Sequence, residues 1–297
     1  MCNHPSQMAI QMAEPQSPLE VTDHSRASAG LRYVYPVVSR RAQGLSIGIN
    51  LNTNNACNWA CRYCQVPNLV RGAAPLVDIP LLKSELRGFL TEVLDGDFMQ
   101  RRVPEDLRRL NDIAFSGNGE PTASPDFAAA VECVLNEVAK RTFHSPLKLV
   151  VISNGSFVTR DLIQSALKQL AAARGELWFK LDRGLMANRQ HVNDVELSDH
   201  LVLERLKVVS SVIPVWLQTC LFREDGIPPP DNERQAYVDL VRQAIQHGTQ
   251  LQGVMLYTLA RPSLQPGAEH LSAMSEQEMQ SWAQPLREWG LEVRVSA

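Results

Sequence analysis

Apolar residues recur along this chain in two alternating rhythms. Short, largely apolar runs at 46–51, 113–116, 147–153, 177–182, 214–219 and 251–257 read as buried strands. Between them lie longer stretches in which apolar residues fall three and four apart, the period of a helix with one buried face. Leu82, Leu86, Phe89, Leu90 and Val93 define such a helix over 80–94. Further helices are expected over 125–140, 159–171, 199–208, 232–247 and 275–289. Ser275 and Glu278 supply an S-x-x-E capping box at the start of the last one. A final strand is expected over 291–295.

Six strand–helix units in succession imply a parallel sheet with right-handed crossovers, curling toward a barrel. Six fall short of the eight that close such a barrel, so the chain is expected to form an open, partial (β/α)6 barrel of the α/β class in one domain. Its chemistry should gather at the C-terminal ends of the strands. Residues 1–30, with many Ser, Gln, Pro and charged positions, read as a mobile tail, and 31–297 as the folded domain. The stretch 31–41 leads into the barrel and ends in Arg40 and Arg41, which suit a phosphate or an apolar edge covered by their stems.

Composition removes several classes. Hydrophobic residues make up 44% of 297, enough for a sizeable core. A net charge of -3 gives no global basic field for nucleic acid. Arg101, Arg102, Arg108 and Arg109 straddle Glu105 and Asp106, the pattern of a solvated face. No stretch reaches 18 consecutive apolar residues, and 1–30 has no apolar signal core, so a cytoplasmic protein is expected.

The cysteines change the picture most. Of six, Cys2, Cys133 and Cys220 are scattered, while Cys57, Cys61 and Cys64 form C-x3-C-x2-C just after the first barrel strand. This is not a disulfide framework, and it fits a reducing compartment with a metal site. Thiolates suit iron–sulfur clusters, zinc or copper(I). Three ligands leave one metal position open, as a catalytic metal requires; a zinc knuckle completed by a distant His or Cys is the alternative. Cys133 reads as a small buried hydrophobe, and Cys220, ending a strand, as a residue that could enter the site. The next strand ends in Ser116-Gly117-Asn118-Gly119-Glu120-Pro121-Thr122. Its glycines allow close backbone approach, and Glu120 could bind an ammonium group.

Together these residues resemble the radical S-adenosylmethionine (SAM) enzymes, in which C-x3-C-x2-C ligates a [4Fe–4S] cluster and SAM chelates the fourth iron. The resemblance implies a TIM-like partial barrel of the radical SAM type, with Cys57, Cys61 and Cys64 as metal ligands. It places Tyr63 near the adenine, and Gly117, Gly119 and Glu120 at the methionine end of SAM. Asn154 could hold the ribose hydroxyls or serve only its Asn-Gly turn. Lys180 and Asp182 could bind the SAM carboxylate or pair with each other. Gln218, Tyr257 and Arg261 stand where a substrate would lie, or are core and surface residues; Trp59 could touch the site from within the cysteine loop. The implied activity is one-electron cleavage of SAM to a 5′-deoxyadenosyl radical that takes hydrogen from a substrate, fed by a donor such as flavodoxin or ferredoxin.

The chain looks closest to the iron–sulfur oxidoreductases related to the wyosine tRNA-modifying enzyme. The likeness runs through Ser39-Arg40-Arg41, the strand 46–51, Ser153-Asn154-Gly155, Lys180-Leu181-Asp182 and the stretch 257–262. It lacks the upstream cysteines of that enzyme's second cluster, Cys2 being alone there, and it lacks a basic extension for tRNA. An RNA modifier, a protein-activating enzyme and a non-catalytic zinc or cluster sensor are the competing readings.

Overall fold

The computed structural model describes residues 19, 29–39 and 44–297. Arg40, Arg41, Cys2 and all but Leu19, Ala29 and Gly30 of the expected tail lie outside the described residues. Leu19 is buried in the core, and its amide donates to the Arg102 carbonyl at 2.8 Å.

Eight strands form one sheet whose spatial order is the chain order: β1 (Val34–Ser39), β2 (Gly44–Ile49), β3 (Leu110–Phe115), β4 (Lys148–Ser153), β5 (Gly175–Lys180), β6 (Val215–Cys220), β7 (Leu251–Tyr257) and β8 (Val293–Ser296). β1 is antiparallel to β2, and every later neighbour is parallel. The crossovers carry α1 (Ile79–Leu94), α2 (Phe127–Val138), α3 (Asp161–Ala172), α4 (Met186–Asn193), α5 (Asp199–Ser210), α6 (Asp231–Gln246) and α7 (Glu276–Glu288). The result is a curled half-barrel, the expected partial (β/α)6 barrel with a strand added at each edge. No helix among the described residues is long and apolar enough to cross a membrane.

Strand parity sets the two faces. Ile47, Ile49, Ile113, Phe115, Leu149, Val151, Leu177, Phe179, Leu217, Val254 and Leu256 are buried in the core that the helices cover. The alternate positions Ser46, Gly48, Asp112, Ile152, Trp178, Lys180, Gln218 and Tyr257 line a cavity on the other face.

The helix ends follow local chemistry. Asp78 caps α1 by accepting from the Leu81 amide at 2.9 Å. Ser275 and Glu278 close the expected capping box on α7, with the Ser275 amide donating to Glu278 Oε2 at 2.8 Å. Neither α4 nor two short strand pairs, Ala56–Cys57 with Val70–Arg71 and Phe222–Glu224 with Leu271–Ala273, follow from apolar spacing. Helix α4 is organised around polar burial instead. Its Arg189 is fully buried, donating from Nε to the Leu197 carbonyl at 2.9 Å and pairing with Asp199. The arginines near 101–109 also differ from a purely solvated face. Arg101 pairs with Asp97 at 2.7 Å, and Arg102 is buried with its guanidinium 5.8 Å from the Phe98 ring centre.

One buried carboxylate ties the first two helices together. Glu137 of α2 accepts from Arg87 Nε and Nη2 of α1, both at 3.0 Å, and from Lys140 Nζ at 2.8 Å. The Arg87 hydrogen bonds, opposed by burial and aided by Lys140, hold its pKa down from 4.5 to about 2. A depressed carboxylate pKa stabilises the fold above the unfolded value, and that contribution is lost as pH falls from about 4.5 toward 2. Glu137→Gln is therefore expected to lower unfolding free energy by roughly 1–3 kcal/mol at pH 7. The gap to wild type should shrink in urea titrations at pH 3.

Candidate active site

The loop that follows β2 is tied to three other loops and to helix α4. Asn50 Oδ1 accepts from the Asn52 and Asn118 amides, both at 3.1 Å, and Asn52 Nδ2 donates to the Ala56 carbonyl at 3.0 Å. Asn58 joins the loop after β4, accepting from Asn154 Nδ2 at 2.9 Å and donating to Ser156 Oγ at 2.8 Å. The Ala60 and Arg62 amides donate to the carbonyls of Asn193 and Val192 in α4, at 3.2 and 2.8 Å. Ser263 Oγ, after β7, donates to the Arg62 and Cys64 carbonyls at 2.7 and 3.1 Å. Residues distant in sequence thus fix where the three cysteines stand.

Cys57, Cys61 and Cys64 are half-buried and line one cavity of about 330 Å³ at the C-terminal ends of the strands. Burial pushes the Cys57 thiol up to about 11, with the Trp59 amide opposing and the Glu120 charge adding. Burial also raises Cys61, against Lys180 and a 3.2 Å hydrogen bond from Asn193 Nδ2. Thiols so placed are protonated near neutral pH, so a metal must displace their protons. Among the described residues, no group of three or more His, Cys, Asp or Glu is placed to hold a single metal ion. Trp59 also lines the cavity, and its indole N–H is buried without a partner. Three soft donors around one cavity fit an iron–sulfur cluster, whose separate irons let each ligand take a different atom.

Glu120 is 3% exposed and lines the same cavity. Oε1 accepts from the Thr122 amide at 3.1 Å, from the Thr122 hydroxyl and from Ser153 Oγ at 2.7 Å, while among the described residues Oε2 accepts only the Asn154 amide, at 2.6 Å. Burial raises its pKa against these donors. Oε2 keeps a lone pair for one more donor. The two glycines ahead of it are set by close approach. A Cβ on Gly117, whose φ is +146°, would stand 2.4 Å from Asn50 Oδ1, and one on Gly119 would stand 2.2 Å from the Ala56 carbonyl oxygen. Asn154 does serve its turn, since Oδ1 accepts the Ser156 amide at 3.0 Å, and it also lines the cavity.

Lys180 and Asp182 do not form an ion pair. Asp182 is buried; Oδ2 accepts from Tyr63 Oη at 2.5 Å and Asn193 Nδ2 at 2.7 Å, and Oδ1 accepts the Cys220 amide at 2.8 Å. Its role in the structure is to hold Tyr63, α4 and β6 together. Lys180 Nζ donates to Tyr257 Oη at 3.2 Å and lies 5.1 Å from the Tyr63 ring centre. Burial works against its charge, but Tyr257, Asp182, Cys61 and Cys220 together raise its pKa, so it remains a cation.

The remaining expected residues also reach this cavity. Gln218, Cys220, Tyr257 and Arg261 line it; burial, with Asp182 adding, pushes the Cys220 thiol up to about 12, and the Arg261 guanidinium bonds Gln65 Oε1. Cys133, in α2, is buried and lies apart from it. The sequence reading missed Asn50, Asn52, Asn193 and Ser263. Asn50-x-Asn52 directly after the first barrel strand was a readable signal, but nothing local marks Asn193 or Ser263.

Gly119→Ala is expected to destabilise the fold by roughly 1–3 kcal/mol, because its Cβ would collide with backbone rather than a movable side chain. Gly72→Ala, whose Cβ would meet only Ala56 Cβ at 3.6 Å, should melt within about 1 °C of wild type, the shift a ΔΔG of a few tenths of a kcal/mol gives. Thermal unfolding of the two variants checks this.

No protein-family model and no curated protein matches the chain. Among solved structures it is similar to a radical SAM methyltransferase from Sphaerobacter thermophilus, with a TM-score of 0.56 and 16% identity over 85% of this chain and 66% of that one. A second match, to a protein from Pseudomonas aeruginosa provisionally assigned as a dihydrodipicolinate synthetase, has a TM-score of 0.33 and 16% identity over 78% of this chain and 62% of that one. The chain thus spans 66% of the methyltransferase's length, and at 16% identity what the two share is the fold, a partial TIM-like barrel.

Proposed function

We propose that this chain is a radical SAM enzyme, with Cys57, Cys61 and Cys64 as ligands of one [4Fe–4S] cluster and Glu120 as the anchor for the SAM amino group. One observation carries the reading: the three thiols and Glu120 line a single cavity at the strand ends of a barrel shared with a radical SAM methyltransferase. With both groups bound, an electron delivered through the cluster would cleave SAM and yield the 5′-deoxyadenosyl radical that takes hydrogen from the substrate. The residues contribute binding and order. Glu120 Oε2 offers its free lone pair to an ammonium, and Asn154 retains one N–H and one lone pair for ribose hydroxyls. Tyr63, fixed through its hydroxyl by Asp182, lines the cavity that would take the adenine.

The finer kinship, to the iron–sulfur oxidoreductases related to the wyosine enzyme, we infer from sequence motifs alone. An electron donor of the flavodoxin or ferredoxin type belongs to the same reading, as does a reducing, cytoplasmic setting for the thiols. No tRNA role is proposed, because a net charge of -3 gives RNA no global basic field.

Anaerobic reconstitution with iron and sulfide, followed by dithionite and SAM, should release 5′-deoxyadenosine from wild type and none from the triple Cys57, Cys61 and Cys64 to Ala variant. Glu120→Gln removes a charge-assisted hydrogen bond and should weaken SAM binding roughly 10- to 100-fold in equilibrium dialysis. Stoichiometric zinc without iron or sulfide in anaerobically purified protein would defeat the proposal in favour of a zinc-bearing binding protein.

A further inference from the structure

Each of the three clustered cysteines is held by a different segment. The Cys57 carbonyl accepts the Gly72 amide at 3.2 Å, beside the short pairing of Ala56–Cys57 with Val70–Arg71. Cys61 is held from α4, where Asn193 Nδ2 reaches its sulfur and two carbonyls take the amides of its neighbours Ala60 and Arg62. Cys64 belongs to a third segment, the stretch that follows β7. Its carbonyl accepts the Leu264 amide at 3.0 Å and Gln265 Nε2 at 3.1 Å, and Ser263 Oγ lies 3.1 Å from it.

Gln265 is the centre of this third attachment. Its Nε2 carries two N–H groups and spends both, on the Cys64 carbonyl and on the Val66 carbonyl at 2.8 Å. Ser263, 4% exposed, donates to the Arg62 carbonyl at 2.7 Å and accepts the Gln265 amide at 3.1 Å. Arg62, Cys64 and Val66 are alternate residues, so two side chains serve their carbonyls where a neighbouring strand would. Gln65, between them, clasps the same stretch: its Nε2 donates to the Arg261 carbonyl at 3.2 Å, and its Oε1 accepts from the Arg261 guanidinium.

We propose that Gln265, braced by Ser263, is the positioning residue for Cys64 alone among the three thiols, a role that rests on reading Cys64 as a cluster ligand. Removing its Nε2 withdraws two donors from the backbone at and just beyond Cys64, and none from Cys57 or Cys61. The same stretch supplies Leu259, Ala260 and Arg261 to the cavity wall. One wall of the cavity and one cluster ligand therefore form a single hydrogen-bonded unit, to which the other two ligands do not belong. The competing account is a tether that serves only the fold, and such a tether would loosen all three thiols together.

Pulse alkylation of the reduced, metal-free full chain with iodoacetamide, read by peptide mass spectrometry, tests this. Trypsin cuts after Arg62 and Arg71, so Cys64 travels on peptide 63–71, apart from Cys57 and Cys61. Gln265→Met keeps the length of the side chain and removes both N–H groups. Cys64 should then label about tenfold faster than in wild type, the ratio that roughly 1.4 kcal/mol of lost hydrogen bonding gives, with Cys57 and Cys61 within about twofold. Ser263→Ala, the milder change, should speed Cys64 about threefold and leave Cys57 as it was, and it decides the matter where Gln265→Met does not fold. An equal rise at all three cysteines, or an unchanged Cys64 in the folded variants, would overturn the inference. Because the measurement needs neither iron nor SAM, its outcome stands apart from the proposed function, which fails instead if reconstituted wild type forms no deoxyadenosine.

Discussion

A parallel sheet covered by helices on one face can offer a ligand only its other face and its strand ends. Strand register is therefore the constraint on which this site depends. Phe179 and Leu217 belong to the helix layer, while their neighbours Lys180 and Gln218 belong to the cavity. A slip of one residue would exchange them, putting an ammonium among helices and an aromatic ring in the cavity. Burying one large apolar side chain is worth about 1.5–3 kcal/mol, so the helix-facing residues of seven parallel strands fix that register together. Functional groups inherit their positions from the packing of residues that never touch a ligand.

At the strand ends the organising groups are polar, and Asp182 is the clearest case. A buried carboxylate is costly unless its oxygens are satisfied, and Asp182 satisfies them with three groups from three different segments: Tyr63 of the cysteine loop, Asn193 of α4 and the Cys220 amide of β6. Losing any one donor would leave charge uncompensated, so these segments order as a unit. Asn193 extends the network to the Cys61 sulfur. In effect the position of one cluster-ligand candidate is coupled to the geometry of the fifth and sixth strands.

The barrel was legible because apolar runs and apolar spacing at three and four report burial directly, and all six expected barrel strands and six expected helices have counterparts. The three cysteines and Glu120 were legible because rare residues at fixed spacing carry chemistry in themselves. Helix α4 was not, since it is held by Arg189, and a buried arginine with carbonyl and carboxylate partners leaves no periodic signal. Lys180 and Asp182 were read together, as ligands of the SAM carboxylate or as partners of each other, but alternate residues near a strand end need not meet: Lys180 lines the cavity, whereas the chain turns after β5 and buries Asp182. Asn193 illustrates the general limit. Its importance lies in contacts more than ten residues distant, one of them with Cys61, 132 residues away.

An open barrel has two edges, and the antiparallel β1 deals with one of them by side chains as much as by pairing. Gly48, on β2, has no side chain, and a Cβ there would stand 2.1 Å from Cζ of Tyr35. The ring of Tyr35 occupies that space and lines the cavity, and its hydroxyl meets Ser116 Oγ at 2.8 Å, beside the loop that leads to Glu120. A strand that reads only as a lead-in thus becomes a cavity wall and reaches the end of β3. Lys180, Gln218 and Tyr257 line the same cavity from the fifth, sixth and seventh strands. A cavity closed at one edge by an aromatic ring will select its guest by shape on that side.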